Sequence, residues 1–122
     1  MFGPFTIFKQ KPKLAREAFE AYFHRLPEQI QVKWMRDGKF IVGKVQAGDY
    51  EFTTQGEGSD DFVEMVNDAI LTVYDIPKEY FDVLLHTHAY YPPAYQMEEL
   101  RRKDVSSSQL SIVKNEQALK VA

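Results

Sequence analysis

The chain contains no cysteine, which excludes disulfides, thiolate metal sites and a cysteine nucleophile. It also lacks an apolar run of bilayer-spanning length, and no charged amino-terminal segment leads into an apolar core of the kind that directs secretion. Charge of one sign is not in excess, because 15 Lys and Arg stand against 18 Asp and Glu and give a formal charge of −3. The sequence therefore predicts a cytoplasmic protein without a global attraction to nucleic acid.

The residues that are present have the balance of a folded domain. Of 122 residues, 44% are hydrophobic and 27% are charged, and no repeat or low-complexity linker divides the chain. We predict a single domain over residues 1–122. It consists of an amino-terminal strand and helix (1–28), a core (29–77) and a carboxy-terminal extension (78–122).

The core begins with a predicted hairpin. Ile30, Val32 and Trp34 alternate with polar residues, which indicates a strand with one buried side. Asp37-Gly38 is typical of a tight turn, and the β-prone run 39–42 follows it.

A third strand is predicted after a second turn at Gly48-Asp49. Aromatic and polar residues alternate over residues 50–54, and the run 55–58 breaks this pattern. The sequence thus predicts three antiparallel strands in succession.

An amphipathic helix is predicted from Ser59 to residue 74 or 75. Its apolar residues recur at three- and four-residue steps and are Phe62, Val63, Val66, Ala69, Ile70 and Val73. Ser59 is the expected N-cap, and Asp60 and Asp61 place negative charge on the first turn. Pro77 ends the element.

The flanking segments add further elements. An extended segment from Phe5 precedes a helix over 11–26, whose wide apolar stripe either packs on the same sheet or builds an oligomer. The carboxy-terminal extension has predicted helices at 79–85 and 96–103, with a loop over 86–95 between them. A last strand is predicted at 109–114, and the tail over 115–122 is helical or frayed. The predicted class is α+β, with a three- to four-stranded antiparallel sheet in the chain order ββ-β-α-β and an added amino-terminal helix packed on it.

The Asp37-Gly38 turn, the Thr-Gln-Gly-Glu run at 54–57 and the helix over 59–74 resemble the core of the HicB-like antitoxin family. The resemblance covers roughly residues 30–77. It implies the ββ-β-α-β fold of that family, which is often described as a reduced RNase H shape. It also implies a non-enzymatic role as the antitoxin of a type II toxin–antitoxin pair, in which the protein covers a small basic ribonuclease toxin.

The chain departs from the family pattern in three places. Residues 46–50 replace the usual Pro-Gly-Cys-like turn, an extra helix precedes the core, and a different tail follows it. Family members commonly carry a helix-turn-helix or ribbon-helix-helix module after the core. The tail here has no pair of adjacent amphipathic helices joined by a tight turn, so we expect no binding of nucleic acid.

The sequence points to no catalytic, cofactor-binding or metal-binding residue. His86 and His88 could share a metal, but no third ligand stands at a recognisable spacing. Surface imidazoles are the favoured explanation, and a metal-dependent hydrolase is the least supported alternative. Asp61, Glu64 and Asp68 share one side of a helix, which indicates a solvated helix face.

Aromatic residues make up 14% of the chain and suggest an interface. The candidate interface residues are Tyr90, Tyr91, Tyr95, Trp34 and Phe5. This pattern supports a second hypothesis, a stand-alone homo-oligomeric adaptor without a toxin partner. A second core layer explains the same aromatic content equally well.

Overall fold

The computed structural model of the protein describes residues 16–86 and 89–116. In these two ranges the chain forms α1 (residues 16–25), β1 (Gln29–Asp37), β2 (Phe40–Ala47), β3 (Tyr50–Glu57), α2 (Ser59–Val73), a 3-10 turn (Lys78–Tyr80), α3 (Phe81–His86), α4 (Ala94–Arg101) and β4 (Ser107–Val113). The predicted α+β class is confirmed. The predicted strand near Phe5 and the tail from residue 117 lie outside the described residues.

The four strands form one sheet in the order β3-β2-β1-β4, and every neighbouring pair is antiparallel. Both predicted hairpins are present. Gly38 and Gly48 occupy their turns with φ of 62° and 61°, a region that glycine enters without the steric cost of a side chain.

The third strand is longer than predicted. It continues to Glu57, because Gln55 pairs with Val42 and Gly56 with Ile41. Gly56 is a point of close packing and not a break in the strand. A Cβ atom there would lie 2.4 Å from the backbone nitrogen of Phe62, so only glycine lets the start of α2 cross the strand at this distance.

The predicted cap of α2 is also different in the structure. The N-cap residue is Gly58, with φ of 87°, and no side chain caps the first turn. Asp61 Oδ2 instead accepts a hydrogen bond of 2.8 Å from the backbone N–H of Glu57. The carboxylate therefore fixes the end of β3 and leaves the first turn of α2 without a side-chain cap.

The core lies on one side of the sheet, called here the covered face. Eight strand residues that point to this side are almost fully buried, namely Ile30, Val32, Trp34, Ile41, Val45, Ala47, Leu110 and Ile112. The apolar stripe of α2 packs on them with Phe62, Val63, Val66, Ile70 and Leu71. The described part of α1 adds Phe19 and Phe23, so this helix buries its stripe in the same core.

Asn67 links α2 to the segment before α4. This side chain is 4% exposed, and its Nδ2 donates to the carbonyls of Val63 and Tyr90 at 2.9 and 2.8 Å. The backbone N–H of Tyr90 donates back to Asn67 Oδ1 at 2.9 Å, while the Tyr90 hydroxyl donates to the carbonyl of Pro27. Burial raises the pKa of Tyr90, so the phenol stays neutral.

Two cations hold the carboxyl ends of helices. Lys114 Nζ donates at 3.1 Å to the carbonyls of Phe23 and Leu26, in and just after the last turn of α1. Arg36 donates to the carbonyls of Leu100, Arg102 and Val105, at and just after the end of α4, at 2.9, 2.8 and 3.1 Å. Positive charge is favourable at these helix ends because the last carbonyls carry partial negative charge. No helix in the described ranges is long and apolar enough to cross a membrane.

Candidate interaction surface

No element within residues 16–86 and 89–116 covers the side of the sheet opposite the core, and we call this side the open face. It is formed by the odd-numbered residues of 29–37, 51–57 and 107–113 and by the even-numbered residues of 40–46. Their side chains are exposed or half-buried. An antiparallel sheet with a single covered side is stable, so the open face is available for contacts.

An apolar pair lies on the two central strands of the open face, near the β1–β2 turn. Met35 and Val42 are directly opposite each other on the two central strands, and Met35 is 57% exposed. Phe40 and Val113 are exposed apolar residues of the same face, on β2 and β4. A shallow cavity of about 460 Å³ lies over Met35 and Val42, and Thr53 and other polar residues complete its lining.

Two lysines stand directly opposite each other beside this pair. Lys44 Nζ lies 3.6 Å from a carboxylate oxygen of Glu51, whereas Lys33 forms no ion pair with residues 16–86 or 89–116. Like charges at opposed positions of a sheet are destabilising. The open face therefore carries an uncompensated positive charge that a carboxylate or carbonyl oxygen from outside could neutralise.

The remainder of the open face is rich in amides and hydroxyls. Gln31 Nε2 donates at 3.1 Å to Ser111 Oγ, and Gln29 donates to the same oxygen. Asp37, Glu51 and Glu57 add negative charge along this face. The open face thus has an apolar pair near the β1–β2 turn, with polar residues and charges of both signs around it.

The predicted interface residues fall in different places. Trp34 and Tyr90 lie in the core, 2% and 0% exposed, so neither presents a surface to a partner. Tyr91 and Tyr95 are 39% and 72% exposed, before and within the first turn of α4. Phe5 lies outside the described residues.

Trp34 was predicted to lie at an interface, but the exposed large side chain of β1 is its neighbour Met35. The signal was available in the alternation of β1, since burial of Trp34 requires its neighbours along the strand to face the other way. That alternation does not say whether another element covers Met35.

The acidic residues and histidines considered in the sequence analysis do not form a catalytic or metal site within the described residues. Asp61 and Glu64 are exposed on α2, and Asp68 is half-buried beside them. Within the described ranges, no group of three or more His, Asp and Glu side chains could hold a metal ion. The His86–His88 pair falls outside the side chains that the structure describes.

The chain was compared with protein-family models, with curated proteins and with solved structures, and none of the three comparisons found a match. The resemblance to HicB-like antitoxins stays a prediction from residues 30–77.

Proposed function

We propose that this chain is a non-enzymatic protein-binding module that receives its partner on the open face. The observation that carries the proposal is the apolar pair of exposed Met35 and half-buried Val42 on the central strands of the open face, which no described element covers. Protein interfaces combine an apolar core with a polar rim, and polar residues surround this pair on the open face.

Met35 and Val42 are expected to contribute most of the binding free energy of the interface. Full burial of a side chain such as methionine contributes about 1.5 to 3 kcal/mol, and Met35 is more than half exposed. Binding energy at interfaces concentrates in a few central residues, while the surrounding contacts mainly exclude water. Substitution of Met35 is therefore the most sensitive test of whether a partner binds to the open face.

The HicB-like resemblance supplies the class of partner, a small basic ribonuclease toxin. Asp37, Glu51 and Glu57 on the open face provide carboxylates for basic side chains of such a protein. Lys33 would then contact an acidic side chain or a carbonyl oxygen of the partner. The succession of three antiparallel strands and α2 is compatible with the HicB-like core.

A homo-oligomer is the second candidate, and it is favoured by the mixed charges of the open face. Lys33 lacks a carboxylate within the described chain, while Glu51 lies on the same face. Two copies related by a two-fold axis could place Glu51 of one beside Lys33 of the other, because a two-fold interface brings the same patch to both sides.

The test begins with tagged full-length protein purified from its native host, followed by isolation of any small basic protein bound to it. The affinity of that purified partner is then measured by calorimetry for the wild type, for Met35→Glu and for Tyr95→Ser, a control that changes an exposed residue away from the open face. We expect Met35→Glu to weaken binding about tenfold or more, which corresponds to about 1.4 kcal/mol. The control should bind like the wild type.

Two outcomes would contradict the proposal. Equal affinities of the wild type and Met35→Glu would exclude the open face as the binding surface. Failure to recover a small basic protein, together with no relief of toxicity when the chain is co-expressed with any small basic protein encoded by a neighbouring gene, would exclude the antitoxin role. Light scattering separates the second candidate, since a dimer that Met35→Glu dissociates indicates self-association.

A further inference from the structure

A second cavity, called here the basic pocket, lies where three elements meet at one end of the sheet. It has a volume of about 730 Å³, and its cationic lining consists of Arg36, Lys39, Arg101 and Lys103. Gly58 and Ser59, at the start of α2, also line it. Four cations converge here in a chain whose formal charge is −3.

Two exposed carboxylates pair with the cations of the basic pocket, and one of them, Glu57, is itself part of the lining. Glu57 lies 3.3 Å from Lys39 Nζ, and Asp60 lies 3.2 Å from Arg101 Nη2. Ion pairs between exposed side chains contribute little, so an incoming anion can compete for both cations. Lys103 forms no hydrogen bond or ion pair with any residue that the structure describes, which leaves its ammonium group available.

The geometry of the basic pocket is set before any ligand arrives. Arg36 is held by the three carbonyls at and after the end of α4, and this attachment keeps Arg101 and Lys103 beside the end of β1. On the opposite wall, the backbone N–H of Gly58 donates to the carbonyl of Lys39 at 3.2 Å, which ties the start of α2 to the β1–β2 turn. The Arg36 guanidinium and the backbone that carries the other three cations are therefore fixed before a ligand arrives.

The start of α2 brings backbone amides and carboxylates to the same end of the sheet. The first turn of this 15-residue helix has no side-chain cap, and its N-cap is a glycine beside which a Cβ atom would meet nothing within 4 Å. Amide N–H groups at a helix start have no partner within the helix and favour negative charge, but Asp60 and Asp61 on the same turn already carry it. The basic pocket is therefore defined by its four cations and not by the helix start.

We propose that the basic pocket binds the phosphate or diphosphate group of a small molecule. Its volume lies in the range of small-molecule sites, and planar guanidinium and ammonium groups suit the oxygens of a phosphate. A single-stranded nucleic acid would require aromatic side chains on which its bases stack, and the described lining offers Leu100 as its large apolar residue. This inference does not depend on the proposed function, because the basic pocket includes neither Met35 nor Val42.

The test is calorimetric titration of the full chain with inorganic pyrophosphate. Lys103→Gln and Lys39→Gln are compared with Lys78→Gln, a control with the same charge change. Lys78 is exposed and follows the carboxyl end of α2, about 20 Å of helix away from the basic pocket. We expect Lys103→Gln to weaken binding about tenfold, Lys39→Gln at least as much because it leaves the Glu57 carboxylate unpaired in the pocket lining, and Lys78→Gln to match the wild type. Added salt should weaken binding of pyrophosphate to the wild type.

Further titrations identify the source of the phosphate group. Tighter binding of ribose 5-phosphate than of inorganic phosphate indicates an ester, and the reverse order indicates the free anion. The proposal is overturned if millimolar pyrophosphate does not bind, or if Lys103→Gln and Lys78→Gln weaken binding equally. It is also overturned if a short single-stranded RNA binds more tightly than pyrophosphate and only RNA binding responds to Lys103→Gln. Met35→Glu should leave pyrophosphate binding unchanged, which separates this result from the test of the open face.

Discussion

The two faces of the sheet share the same four strands but differ in composition. On the covered face, the central strands present Ile30, Val32, Ile41 and Val45, and each is 0% exposed. On the open face, the same strands present mostly amides and charged groups, together with Met35, Val42 and Phe40. The alternation of side chains along a strand separates the two compositions, and it makes these three apolar residues exceptions among polar neighbours.

The comparison extends to two lysines with opposite environments. Lys114 follows β4 and is buried, with its side chain 0% exposed, two carbonyls as acceptors and its Nζ 4.7 Å from the centre of the Phe23 ring. Lys33 is exposed on the open face and opposes Lys44. The covered face tolerates a cation because two carbonyls at the end of α1 accept its hydrogen bonds and a Glu28 carboxylate oxygen lies 3.4 Å from its Nζ. The open face carries a cation, Lys33, that forms no ion pair with the described residues.

The largest difference in stability between the two faces is expected when each of these two lysines is replaced by methionine. Lys114→Met leaves the carbonyls of Phe23 and Leu26 buried without their donor, and we expect it to lower the free energy of unfolding by about 2 to 4 kcal/mol. Lys33→Met removes a like-charge pair and should change the same quantity by no more than about 0.5 kcal/mol. Urea unfolding measures both. A similar loss at Lys33 would show that the open face carries a hidden structural contact.

A smaller difference is expected from two valines of β2. Val45→Ala removes two methyl groups from the core and should cost about 2 kcal/mol, since each buried group contributes about 0.8 kcal/mol and a cavity remains. Val42→Ala, at a half-buried position of the open face, should cost less than about 0.5 kcal/mol. The measurement is again urea unfolding, at several protein concentrations. Equal costs that grow with concentration would mean that the open face is buried between copies in solution.

Much of the fold could be predicted because its signals are local. The turns at Gly38 and Gly48 and the apolar period of α2 depend on neighbouring residues, and the structure confirms them. The predicted end of β3 was wrong because the role of Gly56 depends on the close approach of the Phe62 backbone, which no local sequence pattern shows. The prediction of Ser59 as the N-cap of α2 was also wrong, since Gly58 is the N-cap residue and Asp61 accepts a hydrogen bond from the end of β3.

The candidate surface was harder to predict than the fold. Tyr90 follows a histidine-rich segment and precedes two prolines, a composition typical of a surface loop, but its burial depends on Asn67, which is 23 residues away. The alternation in β1 indicates the side on which Met35 lies. It does not indicate that this side of the sheet is uncovered, because that depends on where α1, α2 and α4 pack.

The smallest effect is expected from an ion pair outside both faces. In the turn between α4 and β4, Arg102 Nε and Nη2 donate to the two oxygens of Asp104 at 3.0 and 2.6 Å, and these hydrogen bonds lower the pKa of Asp104 below its ordinary value of 3.8. The pair therefore stabilises the fold above that ordinary value, and its contribution disappears as the pH falls through the lowered pKa. Both side chains are exposed, so solvent screens the pair and its effect on stability is minor.

The titration of the Asp104 carboxyl group measures this interaction directly. In the NMR spectrum, Arg102→Gln should raise the pKa of Asp104 towards 3.8, since the replacement cannot donate a charged hydrogen bond. Lys103→Gln removes a neighbouring charge that makes no bond to Asp104, and it should leave most of the shift in place. If both variants moved the pKa equally, the general positive charge of this turn would be the cause. The two hydrogen bonds would then contribute to the geometry of the turn without setting the protonation of Asp104.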